Sequence, residues 1–116
     1  MARYVEIGKA GELQDGQMMK VEVEGQEVLV ARVDGTYYAI QDRCPHMGGD
    51  LSQGTLEGTT VTCPRHHSQF DVRDGRVIRW TDWTGLKLAI GKLLRSPRPA
   101  RTYEVKQEGD DVRLAS

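Results

Sequence analysis

Cysteine is scarce in this chain, with two residues in 116, and histidine is hardly commoner, with three. Those small numbers bound the chemistry before any motif is considered. Two thiols allow one disulfide at most, and in a reducing compartment they serve as ligands or as buried side chains. If two histidines share one site, the third alone cannot build a separate two-histidine, one-carboxylate iron site or a three-histidine zinc site. Aromatic residues make up only 6% of the chain. No apolar run approaches the roughly 18 residues of a membrane span, and the N-terminus lacks a charged-then-apolar leader pattern. Neither sign of charge prevails, and a net charge of −1 argues against general nucleic-acid binding. The expectation is a cytoplasmic chain of one domain, residues 1–116, with a modest core.

What is present is punctuated β-sequence. Thirteen glycines favour a turn-rich β protein over a helical bundle. Strand-like alternation begins at residues 4–7. Residues 27–33 and 36–40 flank Asp34-Gly35, a dipeptide suited to a type I′ hairpin turn because both central positions need positive φ. Residues 18–23 form a shorter strand ended by Glu24-Gly25, and residues 59–62 a β-branched run leading into Cys63. Residues 69–72 and 76–78 bracket Asp74-Gly75, and residues 102–106 and 111–114 bracket Glu108-Gly109-Asp110. About seven short strands at this spacing predict a small antiparallel sandwich or barrel.

One stretch breaks the β rhythm. Leu86, Ile90, Leu93 and Leu94 recur at helical spacing, which predicts a short helical insertion near residues 84–95, weakened by Gly91 and ended before Pro97-Arg98-Pro99. Charge is uneven along the chain. Residues 1–62 hold 5 basic against 10 acidic residues, and residues 63–116 hold 11 against 7. Between Trp83 and Tyr103 lie five basic residues and no acidic one. That segment reads first as a helix packed on the barrel with its charges solvated, and second as a docking surface for an acidic partner. Trp80 and Trp83 read as packing residues.

Two loops carry the chemistry. Cys44-Pro45-His46-Met47-Gly48-Gly49 follows one strand, and Cys63-Pro64-Arg65-His66-His67-Ser68 follows another. Each offers a thiolate and an imidazole within one turn. Each cysteine precedes proline, which holds it extended and directs the chain into a turn. A Cys₂His₂ set suits tetrahedral zinc, but zinc fingers pair like with like along the chain. One cysteine and one histidine per loop suits instead a binuclear cluster, with both thiolates on one iron and both imidazoles on the other.

The pattern C-x-H, sixteen intervening residues, then C-x-x-H closely resembles the Rieske [2Fe–2S] motif, and Gln69-Phe70-Asp71 with Asp74-Gly75 resembles the continuation found in Rieske ferredoxins. The resemblance spans essentially the whole chain. It implies Cys44 and Cys63 on the inner iron, His46 and His66 on the outer, and a [2Fe–2S] cluster as cofactor. His67 is the rival to His66 and reads as a partly exposed loop residue. Ser68 matches a serine that donates to the cluster or a ligand sulfur; its alternative is a turn hydroxyl bonding its own backbone.

High-potential relatives carry an extra cysteine in each loop, joined as a disulfide, and a tyrosine donor. At those positions this chain has Gly49, Arg65 and Phe70. The resemblance therefore implies the lower part of a span of roughly −150 to +300 mV. Imidazole ligation further implies a potential that falls as pH rises through the oxidised-state titration. The implied role is electron carriage from a reductase to an oxygenase or other terminal oxidoreductase, with no catalysis of its own. Alternatives are the Rieske-like small subunit of a nitrite-reductase-type enzyme, or a zinc-stabilised binding module.

Overall fold

Glycine-punctuated, β-branched segments leave the backbone little choice but antiparallel pairing. In the computed structural model, which describes residues 4–9, 11–45, 49–65, 67–79 and 99–115, three antiparallel sheets carry nearly all the regular structure. The strands are β1 (Tyr4–Lys9), β2 (Gln17–Val23), β3 (Gln26–Val33), β4 (Thr36–Gln41), β5 (Thr55–Glu57), β6 (Thr60–Thr62), β7 (Gln69–Asp71), β8 (Val77–Arg79), β9 (Thr102–Tyr103), β10 (Val105–Glu108) and β11 (Asp111–Ala115). Among the described residues a 3₁₀ turn, Leu51–Gln53, precedes β5. The sheet orders are β1-β11-β10, β2-β3-β4-β9 and β5-β6-β7-β8.

The β3–β4 hairpin forms as the sequence predicts. Asp34 and Gly35 take φ of 51° and 78°, both in the left-handed region, and the strands pair in register from Val33 opposite Thr36 to Val28 opposite Gln41. Other elements differ from the sequence reading. Residues 102–106 are not one strand: the chain changes sheet at Glu104, so β9 pairs with β4 while β10 pairs with β11. Residues 55–57 form β5, a strand that no alternation announces. The turn at Asp74-Gly75 is wider than a two-residue hairpin, with a register shift between Gln69 and Phe70. The helical insertion near 84–95, Trp80, Trp83, Pro97 and Arg98 lie outside the described residues.

The central sheet explains how the site is placed. Val28, Leu29, Val30 and Ala31 of β3 are all fully buried. Period-two alternation puts neighbours on opposite faces, so such a run means that both faces are covered. Val28 and Val30 join Leu13, Val23, Ala39 and Leu114 in one core, against β1 and β11. Leu29 and Ala31 join Ile40, Leu51, Val61, Phe70, Val72 and both cysteines in the other, against β5–β8.

Asp71 ends β7 with its carboxylate buried. The Arg73 guanidinium donates to it at 2.7 Å, and the Arg73 backbone N–H at 2.9 Å. Hydrogen bonds from the Arg73 side chain hold the Asp71 carboxyl below the usual carboxylate range, over the opposing pull of burial. A carboxyl whose folded-state value is depressed stabilises the fold above its unfolded value of about 3.9 and loses that contribution as pH falls through the lower, folded value. The expected result is a wild-type urea midpoint that drops below about pH 4 more steeply than that of Asp71→Asn. Parallel pH profiles for the two proteins count against the assignment.

Candidate metal centre

Two loops leave the central core, and they are closed by the same device. In the first, the Cys44 N–H donates to the Gly49 carbonyl at 2.7 Å; in the second, the Cys63 N–H donates to the Ser68 carbonyl at 2.8 Å. Each cysteine thus heads a six-residue loop tied back to its own backbone. Cys44 is 2% exposed, Cys63 is 1% exposed, and neither is in a disulfide.

The neck of the first loop is built on Asp42, whose side chain is fully buried. Its backbone carbonyl accepts from the Leu51 N–H at 2.7 Å and its Oδ1 from the Ser52 N–H at 2.8 Å, while Arg43 pairs with Asp50 in an isolated bridge. Around it, the Lys20 ammonium lies 3.4 Å from Glu27, 4.0 Å from Asp42 and 3.4 Å from Asp50. Desolvation lowers the Lys20 pKa, but the Asp50 and Glu27 carboxylates outweigh it and leave the ammonium raised. The cation among these three carboxylates is therefore the chain's own, and it ties β2 to the loop.

The second loop continues the β6–β7 ladder, where Thr62 faces Gln69. The His67 N–H donates to the Cys63 carbonyl at 3.1 Å. His67 takes φ of 57°, and its own carbonyl accepts from the Arg79 guanidinium at 2.9 and 3.1 Å. Behind the loop, Gly75 at φ 76° lies so close to the Ala100 carbonyl that any Cβ would strike it, and the Gly75 carbonyl accepts from the Ala100 N–H at 2.8 Å. Only glycine serves there. The chain returning after residue 98 is thus fastened to the β7–β8 turn.

The loops touch at Gly49. A Cβ built there would lie 3.0 Å from Arg65 Cδ, 3.1 Å from Arg65 Cγ and 3.2 Å from Cys63 Sγ. The structure therefore brings the head of the second loop against the end of the first. It places Cys44, Cys63 and Phe70 in one core, with Ser68 fully buried and His67 exposed. His46 and His66, with Met47 and Gly48, lie outside the described residues. Sequence reasoning did not single out Asp42 or Arg79. Asp42, a carboxylate between a strand and a cysteine, had a weak signal; Arg79, which reaches across twelve residues to a carbonyl, had none.

An antiparallel β fold that brings two buried cysteines, each heading a loop closed by its own amide, onto one shared core is the arrangement of a small metal-binding protein. Residues 3–89 match the Rieske [2Fe-2S] domain family, and the chain belongs to that family. It is 39% identical over 112 residues to the ferredoxin component of a naphthalene 1,2-dioxygenase system of Pseudomonas aeruginosa, covering 97% of this chain and 94% of the relative. It is 37% identical over 106 residues to the ferredoxin component of biphenyl 2,3-dioxygenase of Rhodococcus jostii, covering 91% and 86%. Among solved structures, the ferredoxin of carbazole 1,9a-dioxygenase from Nocardioides aromaticivorans superposes with a TM-score of 0.78 at 28% identity, covering 97% of this chain and 96% of that one.

The family carries a [2Fe-2S] cluster, and the described residues fit one. Two buried thiols outside any disulfide, on facing loops, are soft ligands suited to iron. Thiolates also suit zinc, and it is the family match over residues 3–89 that sets the zinc-module reading aside. Among the described residues, no helix is long and apolar enough to cross a membrane.

Proposed function

We propose that this chain is the ferredoxin of an aromatic-ring dioxygenase system, a cytoplasmic carrier that moves single electrons from a reductase to the oxygenase and transforms no substrate itself. Cys44, Cys63, His46 and His66 hold the cluster, and the whole chain, 1–116, is one Rieske unit. The observation that carries this reading is the pair of buried cysteines heading two equally closed loops, in a chain that aligns end to end with ferredoxin components. The [2Fe–2S] cluster supplies one reversible electron. The chain's own residues exclude water from the thiolates, close the two loops and keep them on a rigid sheet.

Anaerobically reconstituted protein is expected to be red-brown, to hold about two irons and two acid-labile sulfides per chain, and to give a reduced-state electron spin resonance signal. It is then expected to support turnover by a naphthalene or biphenyl dioxygenase supplied with NADH and a ferredoxin reductase. Colourless protein with one tightly bound zinc, or coloured protein that supports no oxygenase turnover, sinks the reading.

Ser68 offers a finer test. Its carbonyl closes the loop through the backbone, so Ser68→Ala leaves that closure intact and removes only the buried hydroxyl. A hydrogen bond to cluster or ligand sulfur favours the more negative, reduced state. Losing about 1 kcal/mol of it is expected to lower the midpoint potential by roughly 40 mV with colour retained. An unchanged potential returns Ser68 to the role of a turn hydroxyl.

A further inference from the structure

We propose that Arg65 is a positioning residue for the centre: its methylene stem straps the second loop to the first and covers the Cys63 sulfur, while its guanidinium leaves a positive charge at the rim that favours the reduced state. The inference rests on the ligand reading above. It starts from Gly49, where a single methyl position would lie within 3.2 Å of Arg65 Cδ, Arg65 Cγ and Cys63 Sγ. The absence of a side chain at residue 49 is what admits the arginine stem. Positions 49 and 65, where disulfide-bearing relatives are expected to have cysteines, face each other here as glycine and arginine.

The arginine stem does part of what a covalent link would do. Long cationic side chains lay their methylenes along apolar surface and keep the head in water, and Arg65 as a whole is exposed. Its two stem carbons and the Cys63 sulfur all lie within 3.2 Å of one point, the position a Gly49 Cβ would take, so the stem stands beside the sulfur where the two loops meet. No disulfide holds the loops together, so this contact is part of what keeps them apposed. The guanidinium begins one bond beyond Cδ, which keeps its charge within about one Debye length, roughly 10 Å at 0.1 M salt, of the Cys63 sulfur.

Three substitutions separate strap from charge. Arg65→Met keeps an unbranched stem without charge, Arg65→Ala removes both, and Arg65→Lys keeps the charge and most of the stem. Two readouts follow them: the midpoint potential at low and high salt, and the rate at which visible absorbance is lost in air with a chelator. Arg65→Met is expected to weaken reduction roughly three- to tenfold at low salt, about 28 to 59 mV for one electron, with the difference shrinking at high salt. Its bleaching rate stays near wild type. Arg65→Ala is expected to show the same potential shift and to bleach several times faster, and Arg65→Lys to behave as wild type. Coloured Arg65→Ala protein with wild-type potential and wild-type bleaching overturns this inference alone. Colourless wild-type protein overturns it together with the ligand reading.

Discussion

Replacing Cys63 with serine is expected to leave the purified protein without visible absorbance after anaerobic reconstitution, and Cys44→Ser is expected to do the same. In the proposed ligand set the thiolate binds iron, and a serine hydroxyl, which stays protonated at neutral pH, does not replace it there. Both cysteines are almost wholly buried, and their loops are closed through backbone amides that serine leaves untouched. The fold therefore tolerates the isosteric change while the centre is lost. His67→Ala is the matching control. His67 is exposed, and its backbone N–H and carbonyl, which alanine keeps, bond to Cys63 and Arg79, so colour is expected to be retained. Metal analysis and the visible spectrum read the result. A Cys63→Ser protein that keeps its colour, or a His67→Ala protein that loses it, revises the ligand set.

Phe70→Ala is expected to cost about 3–5 kcal/mol of stability, the largest effect of a single packing change among the described residues. Phe70 is fully buried on β7, in the same cluster as Leu29, Ile40, Leu51, Val61 and the two cysteines. Its ring spans the contact between the central sheet and the sheet that carries the second loop, so truncation opens a cavity just beneath the site. Denaturant unfolding at matched iron content measures it, with Ile78→Ala as reference. Ile78 is 44% exposed on β8, and its truncation is expected to change stability by less than about 0.5 kcal/mol. Against a total of about 5–15 kcal/mol, loss of the Phe70 ring also lowers the fraction of chains that retain the cluster. A Phe70→Ala shift no larger than that of Ile78→Ala means that this core does not hold the sheets together.

How far the site was legible depends on what kind of constraint each residue obeys. Cys44 and Cys63 are visible because their chemistry is rare and their spacing short, whereas Ser68 stands out only through the resemblance of the motif around it. The Asp34-Gly35 turn is visible because two successive positive φ angles leave few residue choices. The break at Glu104 is not, because residues 102–106 alternate without interruption and nothing local distinguishes pairing with β4 from pairing with β11. β5 is hidden for a similar reason, since three residues carry too little periodicity to stand out. Arg65 is the clearest case. Read along the chain it stands out only as the residue at a position where disulfide-bearing relatives have a cysteine, and its approach to Gly49, sixteen positions earlier, is set by the tertiary structure.

Local chemistry alone thus settled the β character, the hairpin signals and the paired cysteine loops, since these depend on residue type and on neighbours a few positions away. Tertiary structure decided the rest. It closed β1 against β11, split one alternating run between two sheets, buried both faces of β3 and set Gly49 against Arg65 and Cys63. Those features join residues far apart in the chain, and such contacts form only when sheets stack and exclude water from the surface between them.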